Sequence, residues 1–160
     1  MTARPPLRVI SGGQTGVDRA ALDAALGAGF AVGGWCPAGR WAESGPIPPH
    51  YPLRETASAG PAERTRLNVR DSDATLVLAP GPPAGGTALT VRLAEAMGRP
   101  VRVLDPKREG VEDATRWLAA LGRPLVLNVA GPRESEAPGV YAAALAWLAD
   151  LFARVAGATS

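Results

Sequence analysis

Gly12, Gly13, Gln14, Thr15, Gly16, Asp18 and Arg19 stand together in "SGGQTGVDR" (11–19), and the chemistry this set offers is anion capture. Glycines without a Cβ let backbone N–H groups come close to an anion, and a helix beginning just beyond them favours negative charge at its N-terminus. Thr15 and Asp18 also have the spacing of a capping box, which would account for those two residues without any ligand. Capping does not account for the glycine pair, Gln14 or Arg19, and these carry the expectation of binding. The stretch has neither a Walker A lysine nor the Gly-x-Gly-x-x-Gly dinucleotide fingerprint, which disfavours an ordinary ATPase or dehydrogenase.

Two further loops repeat the theme. "APGPPAGGTALT" (79–90) sets Gly85 and Gly86 before a helix, with Thr87 and Thr90 in its first turn, so a second amide-lined N-terminus, expected on an adjacent strand, can converge on the same anion. "NVAGPRESEAPG" (128–139) offers Asn128, Gly131, Arg133 and Ser135. Arg133 can pair with an anion or, as the simpler alternative, with Glu134 or Glu136 at the surface. In "ERTRLNVRDSD" (63–73), steps of four and three put Arg64, Asn68 and Asp71 on one helical face. Solvated charge is the default account of such a face. Asn68, Asp71 and Asp73 beside an apolar run leave a role in or behind a site equally open. His50 has no second histidine to form a histidine-based metal site, and no metal ligands are expected. The single Cys36 reads as a packed thiol of a reducing compartment.

These loops need a scaffold, and the rest of the chain reads as one. Short apolar runs at 7–11, 30–37, 73–80, 99–105 and 123–131 alternate with helical periods at 15–29, 63–73, 85–98, 112–122 and 137–157. Alternating strands and helices predict an α/β fold: a Rossmann-like, doubly wound, mainly parallel sheet with helices on both faces, ligands binding beyond the carboxyl ends of the strands. With 160 residues, 46% hydrophobic and 20% charged, one domain over 1–160 is expected. Residues 37–61, "PAGRWAESGPIPPHYPLRETASAGP", break the pattern, and a loop of this length is functional or disordered. Its Arg40, Trp41, Tyr51 and Arg54 favour function. The formal net charge of +2, spread along the chain, gives no nucleic-acid footprint. No apolar run is read as reaching membrane-spanning length, and no signal segment is read at the start, so no membrane partner and a cytoplasmic location are expected. The broad apolar face of the last helix is core, with part of it available to a subunit interface.

Taken in order, "SGGQTGVDRAALDAA", "GGWCPAGRWAESGPIP", "YPLRET", "RTRLNVRDSDATLVL", "GGTALT" and "LNVAGPRES" closely resemble the molybdenum cofactor carrier-like proteins. That family lies in the Rossmann-like SLOG superfamily, with the cytokinin-activating phosphoribohydrolases. The resemblance runs from about residue 8 to about residue 141. It implies a homo-oligomer that binds a small anionic ligand across the glycine loops: molybdenum cofactor (molybdopterin), molybdate, or a related nucleotide-like molecule. Gly12, Gly13, Gln14, Thr15 and Gly16 fall in the first ligand loop, Asp18 and Arg19 open its helix, and Gly85, Gly86 and Thr87 fall in the second. The phosphoribohydrolases carry a glutamate where this chain has Thr90, so the best candidate for general acid–base work is missing and no catalytic residue is assigned. Pro61 stands where the carrier-like proteins are expected to have an aromatic residue. The expected chemistry is holding and transfer, with Trp41, Tyr51 or Trp35 covering a flat ligand. The alternatives are a nucleotide-processing enzyme, with Asp18, Asp71 or Asp73 supplying the carboxylate, and a sensor of a nucleotide-derived signal.

Overall fold

The structure, a computed structural model, describes residues 7–157, so both ends of the expected 1–160 domain lie outside the described residues. Its elements, in chain order, are β1 (Leu7–Ile10), α1 (Val17–Gly27), β2 (Ala31–Gly33), β3 (Trp35–Cys36), β4 (Trp41–Ala42), β5 (Gly45–Pro46), β6 (Arg54–Glu55), α2 (Pro61–Arg70), β7 (Ala74–Leu78), α3 (Gly85–Ala96), β8 (Val101–Leu104), α4 (Glu112–Leu121), β9 (Leu125–Ala130) and α5 (Val140–Gly157). A five-stranded sheet runs β2-β1-β9-β7-β8, and each neighbouring pair in it is parallel. The expected Rossmann-like α/β architecture is the one found.

Burial explains the strand sequences. Every residue of β7 is buried, as a central parallel strand covered on both faces requires, whereas β8 at the edge buries only Leu104 fully. The helices form two groups on the sheet: α1, α4 and α5 pack as one group and α2 with α3 as another. In α1, Ala20, Ala21, Ala24 and Ala25 are buried. These small side chains let α5 lie close against it, and α5 supplies Leu148, Leu151 and Phe152, all fully buried. Each such side chain contributes about 1.5–3 kcal/mol by leaving water.

Several expectations are corrected. The run 30–37 is two strands, because Gly34 at φ 125° turns the chain between β2, which extends the main sheet, and β3, which pairs with β6 in a separate ladder. The segment 37–61 is organised, with a β4–β5 hairpin and buried Ile47, Tyr51 and Leu53. By length and mean hydropathy (18 residues, 1.4), α5 is apolar enough to cross a membrane, which the reading of the sequence had denied to every run. In the fold its apolar side packs on α1 and α4. Finally, β9 lies between β1 and β7. The first two glycine loops therefore do not follow adjacent strands, and the third loop leaves the sheet between them.

Candidate functional site

The loops after β1, β7 and β9 open at the carboxyl edge of the sheet, where a doubly wound fold binds its ligands. Between them lies a cleft of about 250 Å³. Its walls include Gly12, Gln14, Asp18, Asn68, Gly86, Thr87, Thr90, Asn128, Gly131 and Arg133, all singled out from the sequence.

At its centre, α2 reaches across to α1. Arg64 Nη1 stands 3.8 Å from Asp18 Oδ2, with both side chains nearly buried. Asp18 Oδ2 also accepts from Gln14 N at 3.3 Å. Burial dominates the Asp18 carboxyl and pushes its pKa up to about 6, against the opposing pull of Arg64, the Gln14 and Gly12 amides and Arg19. Among the described residues, Arg64 Nη1 has no hydrogen-bond partner. A Cβ on Gly12 would lie 2.6 Å from both Cδ and Nη1 of Arg64, so a close approach of the guanidinium is what requires glycine there. At Gly86 a Cβ would meet nothing within 4 Å, so that glycine faces open space in the cleft.

The remaining walls are held from outside. Gln14 Nε2 donates to Trp41 O at 3.1 Å, and the Trp41 indole N–H donates to Ala59 O at 3.2 Å, which fixes a 43% exposed ring at the rim. Asn68 spends both ends of its amide on the Trp35 backbone, accepting at 2.8 Å and donating at 3.0 Å, and so ties α2 to β3. Asn128 donates to Thr75 Oγ1 at 3.3 Å, and Thr90 Oγ1 donates to Gly86 O at 3.0 Å.

Other residues singled out from the sequence do not line the cleft. The Thr15–Asp18 capping box does not form: Gly16 is the N-cap with no side-chain cap bond, because the Thr15 hydroxyl donates to Glu43 and accepts from Glu134 N. Ser135 also binds Glu43, through its hydroxyl and its amide, and Arg133 joins the same carboxylate at 3.5 Å. These hydroxyls hold the Glu43 pKa down at about 2. Arg133 Nε pairs with Glu136 at 3.3 Å, the simpler of its two expected roles, whereas Glu134 accepts from Gly139 N and Tyr141 N at the start of α5. Arg19 donates to Gly13 O, Arg40 donates to the carbonyls of Ile47, Pro48, Tyr51 and Leu53, and Asp71 accepts from the Trp35 indole. Gly85 opens α3 at φ 52°. Tyr51 is buried with its hydroxyl on Asp23, so of the three aromatic covers only Trp41 lines the cleft.

Arg64, Thr65, Pro37, Pro61, Val129, Ala130 and Glu136 complete the wall and were not assigned to the site from the sequence. The helical face shared by Arg64 and Asn68 was the signal that could have found Arg64. Among the described residues, no three His, Cys, Asp or Glu side chains converge as a metal site.

The sequence model of the circularly permutated YpsA SLOG family matches residues 9–152. The chain belongs to this SLOG family. Among solved structures, one from Syntrophus aciditrophicus, named "Putative molybdenum carrier protein", is 42% identical, with a TM-score of 0.85 over 92% of this chain and 96% of that one. Curated proteins give no match. The family and its Rossmann-like fold thus agree with what the motifs implied.

Proposed function

We propose that this SLOG protein is a carrier whose cleft holds an oxyanion-bearing ligand, molybdate or the phosphate of molybdenum cofactor, without breaking a bond. The observation that carries this reading is Arg64: a nearly buried cation with an unpartnered Nη1, in a cleft where Gly86 leaves open space. A guanidinium forks onto two oxygens of a tetrahedral oxyanion, and such charge-assisted bonds are about twice as strong as neutral ones. Asn128, Gln14 and the amides at the start of α3 offer further donors around the same space. Trp41 shields one side. The family relative named as a molybdenum carrier supports molybdenum as cargo. Self-association belongs to the proposal, and a mass measurement in solution tests it.

Calorimetric titration with molybdate, tungstate and phosphate tests the reading, together with metal analysis and oxidised-pterin fluorescence of the purified protein. Saturable binding that Arg64→Gln weakens is expected. Absence of binding by every oxyanion would overturn it.

One observation favours a second reading, a nucleotide-processing enzyme. Asp18, with its pKa pushed up to about 6, is a carboxyl on the cleft wall able to give or take a proton near neutral pH. Incubation with nucleoside monophosphates decides it: released base that disappears in Asp18→Asn would favour the enzyme.

A further inference from the structure

A second compartment opens beside the first. It measures about 200 Å³ and shares Thr87 and Glu136 with the cleft. Its walls are otherwise apolar, with Pro80, Pro82, Pro83 and Pro132 prominent. Flat, rigid proline faces suit a planar ring and hold their shape without losing side-chain entropy on contact.

Glu136 lines both spaces. Its Oε1 accepts from Arg133 N at 2.9 Å and from Arg133 Nε at 3.3 Å, which fixes the carboxylate. Its Oε2 has no partner among the described residues. An ionised carboxyl is an acceptor only, with about four lone-pair sites, so Glu136 can take two more hydrogen bonds and can give none. A ring edge that presents two adjacent N–H donors satisfies it. An edge that presents a ring acceptor is repelled.

We propose that the proline-walled compartment receives the ring of the ligand whose anionic group lies at Arg64, and that Glu136 selects a 2-amino-4-oxopyrimidine edge, the edge shared by pterins and guanine. This rests on the oxyanion reading of the first compartment. The ring N–H and the exocyclic 2-amino group converge on Oε2, the oxygen that Arg133 leaves open, whereas adenine offers a ring acceptor there and hypoxanthine lacks the 2-amino group. A matched pair of such bonds is worth roughly tenfold or more in discrimination.

The test titrates the wild-type protein with inorganic phosphate, guanosine, inosine and adenosine monophosphates, and pterin-6-carboxylate, and repeats the nucleotides with Glu136→Gln. Guanosine monophosphate is expected to bind about tenfold tighter than the other two nucleotides, with the ratio falling toward one in Glu136→Gln. Tighter binding of pterin-6-carboxylate than of guanosine monophosphate would identify the pterin as the source of the edge, and the reverse would identify the nucleotide. Phosphate binding without a guanine preference in the wild type, or with the preference intact in Glu136→Gln, overturns the selection by Glu136 and leaves the oxyanion site standing. Failure of phosphate and of all the organic ligands overturns both.

Discussion

Arg64 Nη1 and Asp18 Oδ2 lie 3.8 Å apart, within the reach of Coulomb attraction but too far for a hydrogen bond. The pair holds its charges together and leaves the guanidinium's hydrogen-bonding capacity unspent. An oxyanion in the cleft would use it. Replacing Arg64 with Gln keeps a donor but removes the charge and the fork, and a hydrogen bond to a charged group is worth about 1.5–3 kcal/mol. Molybdate affinity is therefore expected to fall about 10- to 100-fold, read by calorimetry. Circular dichroism checks that the variant, which leaves Asp18 without its cation, still folds.

The Asp18 carboxyl gives the site a pH dependence of definite sign. Its folded pKa, about 6, lies above the ordinary 3.8, so the folded state holds the proton more tightly than the unfolded one. Stability from this group is full below pH 3.8 and is lost as pH rises through 6, a change on the order of 3 kcal/mol. The wild type should thus lose stability relative to Asp18→Asn between pH 4 and pH 7 in urea titrations. Binding should follow the same sense, because an ionised Asp18 competes for Arg64. Sulfate, a dianion across the range, is the suitable probe: its affinity should fall from pH 5 to pH 7.5 in the wild type and stay flatter in Asp18→Asn.

What the sequence conceals follows from where the forces act. Local periodicity reports the strands and helices, since it records which side of an element faces apolar neighbours, and the α/β class follows from their alternation. It does not record pairing partners, so the insertion of β9 between β1 and β7 was not legible. Capping chemistry at Thr15 was a sound local reading that a distant residue overrode: Glu43, 28 positions along, takes the hydroxyl. Arg64 was hidden for a related reason. A charged residue on a helix looks solvated until the fold buries it against Gly12, a glycine that had been read as making room for the ligand itself.

The two glycines give a paired test. Gly12→Ala would place its Cβ 2.6 Å from Arg64 and 2.9 Å from Asp18, so the pair must separate. Overpacking of this kind costs about 1–3 kcal/mol, and oxyanion binding should be lost with it. Gly86→Ala meets no atom within 4 Å and replaces glycine near a helix start, so stability should hold or rise by up to about 1 kcal/mol. Its methyl enters the cleft, and affinity should nevertheless fall. Thermal denaturation and calorimetry on both variants separate the two effects.

The Glu43 carboxylate fastens the β4–β5 hairpin, and with it Trp41, to the loops after β1 and β9 through Thr15, Ser135 and Arg133. Its pKa, lowered from 4.5 to about 2, means that the fastening is ionised through the neutral range. A depressed carboxyl contributes stability that is present above the unfolded pKa and is lost as pH falls from 4.5 through 2. Near neutral pH only a substitution releases it. In Glu43→Ala the hairpin keeps its Arg40 bonds to the carbonyls of 47–53 and the Gln14 bond to Trp41 O but loses its links to Thr15, Ser135 and Arg133. Cleavage within 37–61 by a low concentration of protease should become faster in this variant than in the wild type. Molybdate should slow it in the wild type more than in Glu43→Ala, because the bound anion sits between the walls that Glu43 joins. Equal cleavage rates in the two proteins would show that the hairpin is held without Glu43, by Arg40, Tyr51 and the Trp41 bonds to Gln14 and Ala59.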